Sequence, residues 1–449
     1  MTTLSPQTPD DFSGTDPMAP RACALDLVGK VLERRLPLDS LLEGEELFRV
    51  LPSRDRAFVR MLVATVLRRL GQIDALIARV QDRPDAPRPS VVTDILRLGV
   101  AQLAFMEVAD HAAVDTSVRL VAAAGQERMK GFANAVLRRI ARERQAWVRD
   151  QDPAINIPEW LIQTWRIDYG QETAHALALA SLKEAPLDLS ARDPDEIPLW
   201  ARTLEAQILP GGSLRRASGA GNIIDFPGFS EGRWWVQDAA AAFPARLFGD
   251  VAGAEIVDLC AAPGGKTAQL AAMGARVIAV DRSAGRMKRM EENLGRLGLA
   301  DRVRTVCADA TLWRPSGGAG SIRFVLLDAP CTATGTIRRH PDVLHLKTPM
   351  DMGRMTALQA RLLDNAIKML APGGILVYCT CSLQKDEGER QIEAILASSA
   401  PVRRLPVDPQ EVADQPEILT DAGDVRFLPC QTIPQGGMDG FFVARLQKL

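Results

Sequence analysis

Two cysteines stand where apolar runs of strand length turn polar: Cys331 follows RFVLLDAP, and Cys381 closes GILVYCTCS with Ser382. At the ends of neighbouring strands in one parallel sheet, both would reach the same rim. A thiolate is a strong nucleophile, but an ordinary thiol of pKa about 8.5 is only a few per cent ionised at pH 7. Bringing that value to about 7 takes roughly 2 kcal/mol, which one nearby cation such as Lys266, or a cationic ligand, supplies. The ordinary reading of a lone cysteine is a buried structural thiol. That reading serves for most of Cys23, Cys260, Cys307, Cys379 and Cys430. A metal is not expected, because Cys379-x-Cys381 falls outside the usual C-x₂₋₄-C zinc spacing.

A second chemical signal is DLCAAPGGKT, residues 258–267. Pro263, Gly264 and Gly265 allow a tight turn and a close backbone approach ahead of a helix N-terminus. This is no phosphate loop, which needs a glycine five residues before Gly265, where Cys260 stands. The G-x-G-x-x-G dinucleotide spacing is missing too. Acids end the next three predicted strands: Asp281, Asp309 and Asp328. Asp281 suits the two hydroxyls of a ribose. Asp309 suits an adenine amino group or a neighbouring backbone amide. One such Asp is more often a cap or turn residue. The succession of glycine turn, ribose acid, base-edge acid and DAPC is what an S-adenosylmethionine pocket requires, where no phosphate needs neutralising.

Methyl transfer that needs a thiol points to C5 of cytosine, a poor nucleophile by itself. A thiolate added at C6 makes the ring enamine-like at C5, which is covalent catalysis by an activated cysteine. A second residue must then help remove the C5 proton and eject the thiol.

These groups need elements to hold them. The chain has 449 residues, a prior for about three domains. Hydrophobic residues make up 47% and charged residues 24%, which excludes a mostly disordered or collagen-like chain. No apolar run approaches the roughly 18 residues of a membrane span, and the polar start is not a secretory signal. Seven cysteines are too few for a disulfide scaffold, so a reduced, cytoplasmic chain is expected. With 54 basic and 56 acidic residues, nucleic acid must be met by local basic patches.

Residues 1–20 read as a loose tail. Residues 21–145 carry three- and four-residue apolar steps, as in RAFVRMLVATVLRRLGQIDALIARV, and predict an all-α helical bundle. Residues 146–235, punctuated by prolines, read as a small α+β connector. Residues 236–449 alternate strand-length apolar runs with helical stretches, the pattern of a doubly wound α/β sheet.

DLCAAPGGKT, DAPCTATGTIRRHPD and YCTCS, in that order, resemble the RNA 5-methylcytosine methyltransferases, and VQDAAAAFPARLF matches the entry to their catalytic domain. The resemblance covers about 236–449. DHAAVDTSVRL and MKGFANAVLRRI resemble a NusB-like RNA-binding domain, a pairing found in the branch that acts on small-subunit ribosomal RNA. The resemblance implies a Rossmann-like, S-adenosylmethionine-dependent methyltransferase domain. It implies that Cys260, Ala261, Ala262, Pro263, Gly264, Gly265, Lys266, Asp281, Asp309 and Asp328 bind the cofactor. It implies Cys381 as the nucleophile on C6 and Cys331 as the aid to release. Asp328 and Lys266 would also meet the cytosine. The family commonly has Ser after the Cys of DAPC; here Thr332 keeps a hydroxyl.

For RNA grip, Arg338, Arg339 and His340 follow the DAPC motif and are expected to meet phosphates. Arg68-Arg69 and Arg138-Arg139 are read as helix-end pairs that are either further RNA contacts or ordinary exposed charges. The target base must leave its stack, which costs a few kcal/mol and favours a weakly paired cytidine. The expected partner is 16S ribosomal RNA, and a monomer is expected. The rivals are the same chemistry on transfer RNA, a non-catalytic RNA-binding assembly factor, and a methyltransferase of proteins or small molecules, which would not need two thiols.

Overall fold

The computed structural model describes residues 16–81, 83, 87–217, 221–412, 415–431 and 436–449. They form two compact units. Most of the expected tail, residues 1–15, lies outside the described residues.

The first unit holds the described residues up to 166, with 174–182 and His340–Lys347. It is helical, as the periodicity predicts. The helix Ser53–Arg68 buries Val59, Leu62, Val63, Val66 and Leu67, one stripe of its surface. The helix Ser90–Phe105 is buried almost all round, with Ile95, Leu96, Leu98 and Val100 fully enclosed. Arg138-Arg139 is not a helix end: Lys130–Arg149 runs on for ten residues past it. Arg138 donates to Asn134 at 3.0 Å, and Arg139 lies 3.6 Å from Glu143. Arg69 does stand at a helix boundary, but its guanidinium stacks 4.7 Å from the Phe105 ring centre. No described helix is long and apolar enough to cross a membrane.

The expected connector does not form one body. Of residues 146–235, 146–166 and 174–182 belong to the helical unit, whereas 167–173 and 183–235 belong to the second. There β1 (Leu187–Ala191), β2 (Gln207–Ile208), β3 (Leu214–Arg216) and β4 (Trp234–Val236) make an antiparallel sheet in the order β2-β3-β1-β4. Leu189, Leu204, Leu214 and Trp234 form its core.

The main sheet of the second unit contains β5 (Glu255–Leu259), β6 (Arg276–Asp281), β7 (Val303–Cys307), β8 (Ile322–Asp328), β9 (Leu370–Thr380), β10 (Val402–Arg404), β11 (Val425–Phe427) and β12 (Phe441–Lys448). Its order is β10-β12-β9-β8-β5-β6-β7, with β11 beside β12. The five strands β5 to β9 run parallel, and β12 returns antiparallel along β9. Their apolar runs reflect burial on both faces. Val257, Leu259, Val325, Leu327, Leu376 and Tyr378 enter one core, and Ile256, Leu326, Val377 and Cys379 enter the other. The chain builds outward through β5, β6 and β7, then returns to place β8 on the other side of β5. That reversal opens a crevice beyond the carboxyl ends of β5 and β8, where ligands of such sheets bind.

Candidate active site

The turn after β5 enters the helix Gly265–Ala272 through left-handed backbone at Cys260 (φ 61°) and Gly264 (φ 96°). Gly264 is required twice over, since a Cβ there would stand 2.4 Å from Met290 Cγ. Asp281, at the end of β6, ties the turn down: its Oδ2 accepts from Ala262 N at 3.2 Å and its Oδ1 from Ser283 N at 2.8 Å. Burial pushes the Cys260 thiol pKa up, with Asp281 and Asp328 adding to the effect. Cys260 is therefore held neutral.

Asp309 lies two residues beyond β7 rather than at its end, and it is exposed. Its Oδ1 accepts from Thr311 Oγ1 at 2.7 Å and from Thr311 N at 2.8 Å, which holds its pKa below the usual carboxyl value. It thus braces its own turn at the exposed rim.

Beyond β5 and β8, Lys266 Nζ meets Asp328 Oδ2 at 2.7 Å and lies 5.0 Å from the Phe441 ring centre. Burial opposes the lysine's charge, but Asp328 and the neighbouring Cys379 and Cys381 outweigh it and raise its pKa. Cys379, expected to be a structural thiol, is wholly buried; its Sγ reaches Asp328 Oδ1 at 3.5 Å. Nothing in the sequence separates it from an ordinary core cysteine.

Asp258, inside β5, accepts from Thr267 Oγ1 at 2.6 Å and is otherwise sealed from water. Burial first, then nearby Asp328 and Asp281, push its pKa up to about 7. The folded protein therefore keeps a proton between the ordinary value of 3.8 and about 7 that the unfolded chain has lost. Ionising Asp258 costs stability as pH rises through that window, with a ceiling of about 4 kcal/mol for the full shift. Asp258→Asn removes the titration. The melting temperature of the variant, minus that of the parent, is expected to rise between about pH 4 and 7 and to level off above it; a constant difference would refute the assignment.

Cys331 and Cys381 meet. Their Sγ atoms are 3.5 Å apart. The register explains it: Asp328 pairs with Cys379 across β8 and β9, so the next residues of both strands leave the sheet side by side. The loop after Cys331 is pinned by Gly335, whose N donates to Cys381 O at 2.9 Å and whose O accepts from Gly440 N at 2.8 Å. A Cβ on Gly335 would stand 1.9 Å from Gly440 O, so only glycine fits. The bond to Cys381, with burial and Glu387 close by, raises the Cys331 pKa, which keeps it a neutral thiol able to donate. The hydroxyl of Thr332 finds a partner that the sequence did not suggest, the fully buried carboxyl of Glu387. KDEGER reads as a solvated charge run, and only the fold encloses its second acid.

The arginines expected at RNA phosphates are elsewhere. Arg338 is 3% exposed and donates to Gly436 O at 2.6 Å and Met438 O at 3.3 Å. Arg339 donates to Asp238 Oδ2 at 2.6 Å, Asp439 Oδ2 at 2.9 Å and Pro186 O at 2.8 Å. Buried carboxyls need a cation, and the forked guanidinium supplies one to two of them at once. His340 belongs to the helical unit and lies 3.2 Å from Asp39.

Residues 248–447 match the family model described as 16S rRNA methyltransferase RsmB/F, and residues 18–142 match the NusB family. A ribosomal RNA small subunit methyltransferase B of Xylella fastidiosa is 36% identical, over 97% of this chain and 99% of its own. One of the same name from Erwinia tasmaniensis is 33% identical, over 95% and 98%. Among solved structures, PH0851 is 22% identical, over 97% of this chain and 99% of its own, with a TM-score of 0.75. A methyltransferase homolog from Pyrococcus horikoshii is 25% identical, over 66% and 98%, with a TM-score of 0.54. The chain belongs to the ribosomal RNA small subunit methyltransferase B family.

Proposed function

We propose that this enzyme methylates C5 of one cytidine in small-subunit (16S) ribosomal RNA, with S-adenosylmethionine as donor and a covalent Cys381–C6 adduct on the way. The observation that carries the reading is the pair of sulfurs 3.5 Å apart, on the rim that also bears Lys266 and Asp328. The relatives' names support the RNA class.

The residues present fit the proposed cofactor. The carboxyls of Asp258, Asp281 and Asp328 act on one another's surroundings at the glycine turn, and the one ammonium among them, Lys266, is engaged by Asp328. An acid-rich site with its lysine already paired suits a cationic sulfonium better than a phosphate. Residues 260–266 and Asp281 would hold the ligand, and Asp309 would meet its base. S-adenosylmethionine, when bound, supplies an electrophilic methyl group to C5.

The Cys381 sulfur bonds to C6, and the electron pair of the C5–C6 double bond becomes available at C5. Afterwards the C5 hydrogen leaves as a proton, the double bond re-forms, and the carbon–sulfur bond breaks to return the Cys381 thiolate. Cys331 assists this release. Asp328 holds the ring edge, and Lys266 keeps Asp328 in place.

Bisulfite sequencing of ribosomal and transfer RNA from a deletion strain tests the substrate. One protected cytidine should be lost from small-subunit RNA. Loss confined to transfer RNA would overturn the substrate assignment, and no loss would overturn the activity.

A further inference from the structure

We propose that Glu387 is the positioning residue that sets the distance between the two thiols. Its carboxyl is completely enclosed and joins the loops that carry them. From the Cys331 side, Thr332 N donates to Oε1 at 2.9 Å and the Thr332 hydroxyl donates to Oε2. From the Cys381 side, the Ser382 hydroxyl donates to Oε2 at 2.6 Å. Gln359 Nε2 fills the last place on Oε1 at 3.1 Å and also holds Pro330 O at 2.9 Å. Four donors meet the four acceptor positions of one carboxyl group. Each loop is gripped at the residue after its cysteine.

The glutamate is itself held. Tyr378 Oη donates to its carbonyl at 2.6 Å, and Arg426 donates to Ser382 O at 2.6 Å. No atom of Glu387 needs to touch the RNA for this work. A side chain that only filled space would not present one oxygen, Oε2, to a hydroxyl from each loop. The clamp also gives Thr332 its purpose: its hydroxyl spans to Glu387 and lies 3.3 Å from Ser382 Oγ.

Glu387→Gln and Glu387→Ala separate a clamp from a charge. Glutamine keeps one acceptor for Thr332 N and Gln359. Its amide can donate to the two hydroxyls: that of Thr332 has lone pairs to accept, and that of Ser382, which already accepts from Gln384 N at 3.0 Å, has one left. The clamp survives in Gln and is lost in Ala. The kinetic arm rests on the thiol roles proposed above. Glu387→Ala should lower kcat about 100-fold, the scale of an ångström of misplacement. KM for RNA should stay near the parental value, and Glu387→Gln should restore most of the rate.

The second arm reads the sulfurs alone and stands whatever their roles. Diamide takes up both thiol hydrogens as one S–S bond forms, and mass spectrometry follows the Cys331–Cys381 disulfide. It should form fast in the parent and in Glu387→Gln, and several-fold more slowly in Glu387→Ala. If the alanine variant does not fold, Thr332→Val deletes one of the four bonds and should show a smaller slowing. Parental oxidation rates in Glu387→Ala, or in Thr332→Val where that variant substitutes for it, would overturn the proposal. So would a Glu387→Gln enzyme as slow as Glu387→Ala.

Discussion

Cys331→Ala is expected to leave the protein covalently joined to its RNA, while Cys381→Ala forms no adduct at all. The two sulfurs are neighbours, yet their surroundings are not equivalent. Cys331 is held as a neutral thiol by its bond to Cys381 and by burial. It is suited to the end of the reaction, when the carbon–sulfur bond must break. Without it, attack and methyl transfer proceed and release stalls. Removing the nucleophile leaves no covalent route, and losses of about 10⁴-fold or more are usual for such residues. Removing a group that assists proton movement costs about 10²–10⁴-fold. Denaturing gels with labelled RNA read the outcome. Equal trapping by both variants would reverse the roles.

The second large effect concerns Arg339. Arg339→Ala should destabilise the fold rather than weaken RNA binding. The residue stands between Asp238 and Asp439, and Asp188 is 3.9 Å from it. Burial raises the Asp439 pKa to about 7 even with Arg339 and Arg338 opposing the shift. Removing the cation leaves carboxyls enclosed without their partner, which costs about 3–5 kcal/mol. Such a loss lowers the melting temperature by roughly 2–4 °C per kcal/mol in a unit of this size. Arg339→Lys should rescue little, because an ammonium cannot fork to two carboxyls. The salt dependence of RNA binding should be unchanged in slope. A phosphate contact would instead reduce that slope by about one. A variant with parental melting and a reduced slope would restore the arginine to the RNA surface.

Arg339 also shows where sequence reading ends. Its two acidic partners are 101 and 100 residues away, on segments whose meeting only the fold decides. An arginine pair beside a catalytic motif looks like a phosphate grip until those acids arrive. The same holds for Glu387, which lies in a charged run and becomes buried only when β8 and β9 align their ends. The expected connector is divided for a like reason, since long-range packing places 146–166 and 174–182 in the helical unit and 167–173 and 183–235 in the other. By contrast, β5, β6, β8 and β9 were legible because strands buried on both faces must be apolar throughout. Their carboxyl ends therefore stand out as abrupt changes of polarity. Asp281, Asp328, Cys331 and Cys381 all lie at such changes, which is why the rim could be read from spacing alone. Cys379 lies one residue short of one, inside the strand; it reads as core and is core, and only its contact with Asp328 lay beyond the sequence.

The central claim is that one pyrimidine ring is attacked by the Cys381 sulfur. The most direct measurement uses RNA carrying 5-fluorocytidine, in which the C5 fluorine cannot leave as a proton does. Parent enzyme, this RNA and S-adenosylmethionine are incubated and digested, and the cross-linked peptide is sequenced by mass spectrometry. The account predicts a methylated fluorocytidine on the peptide that contains Cys381. Attachment at Cys331, or methyl transfer with no attachment to protein, would contradict it.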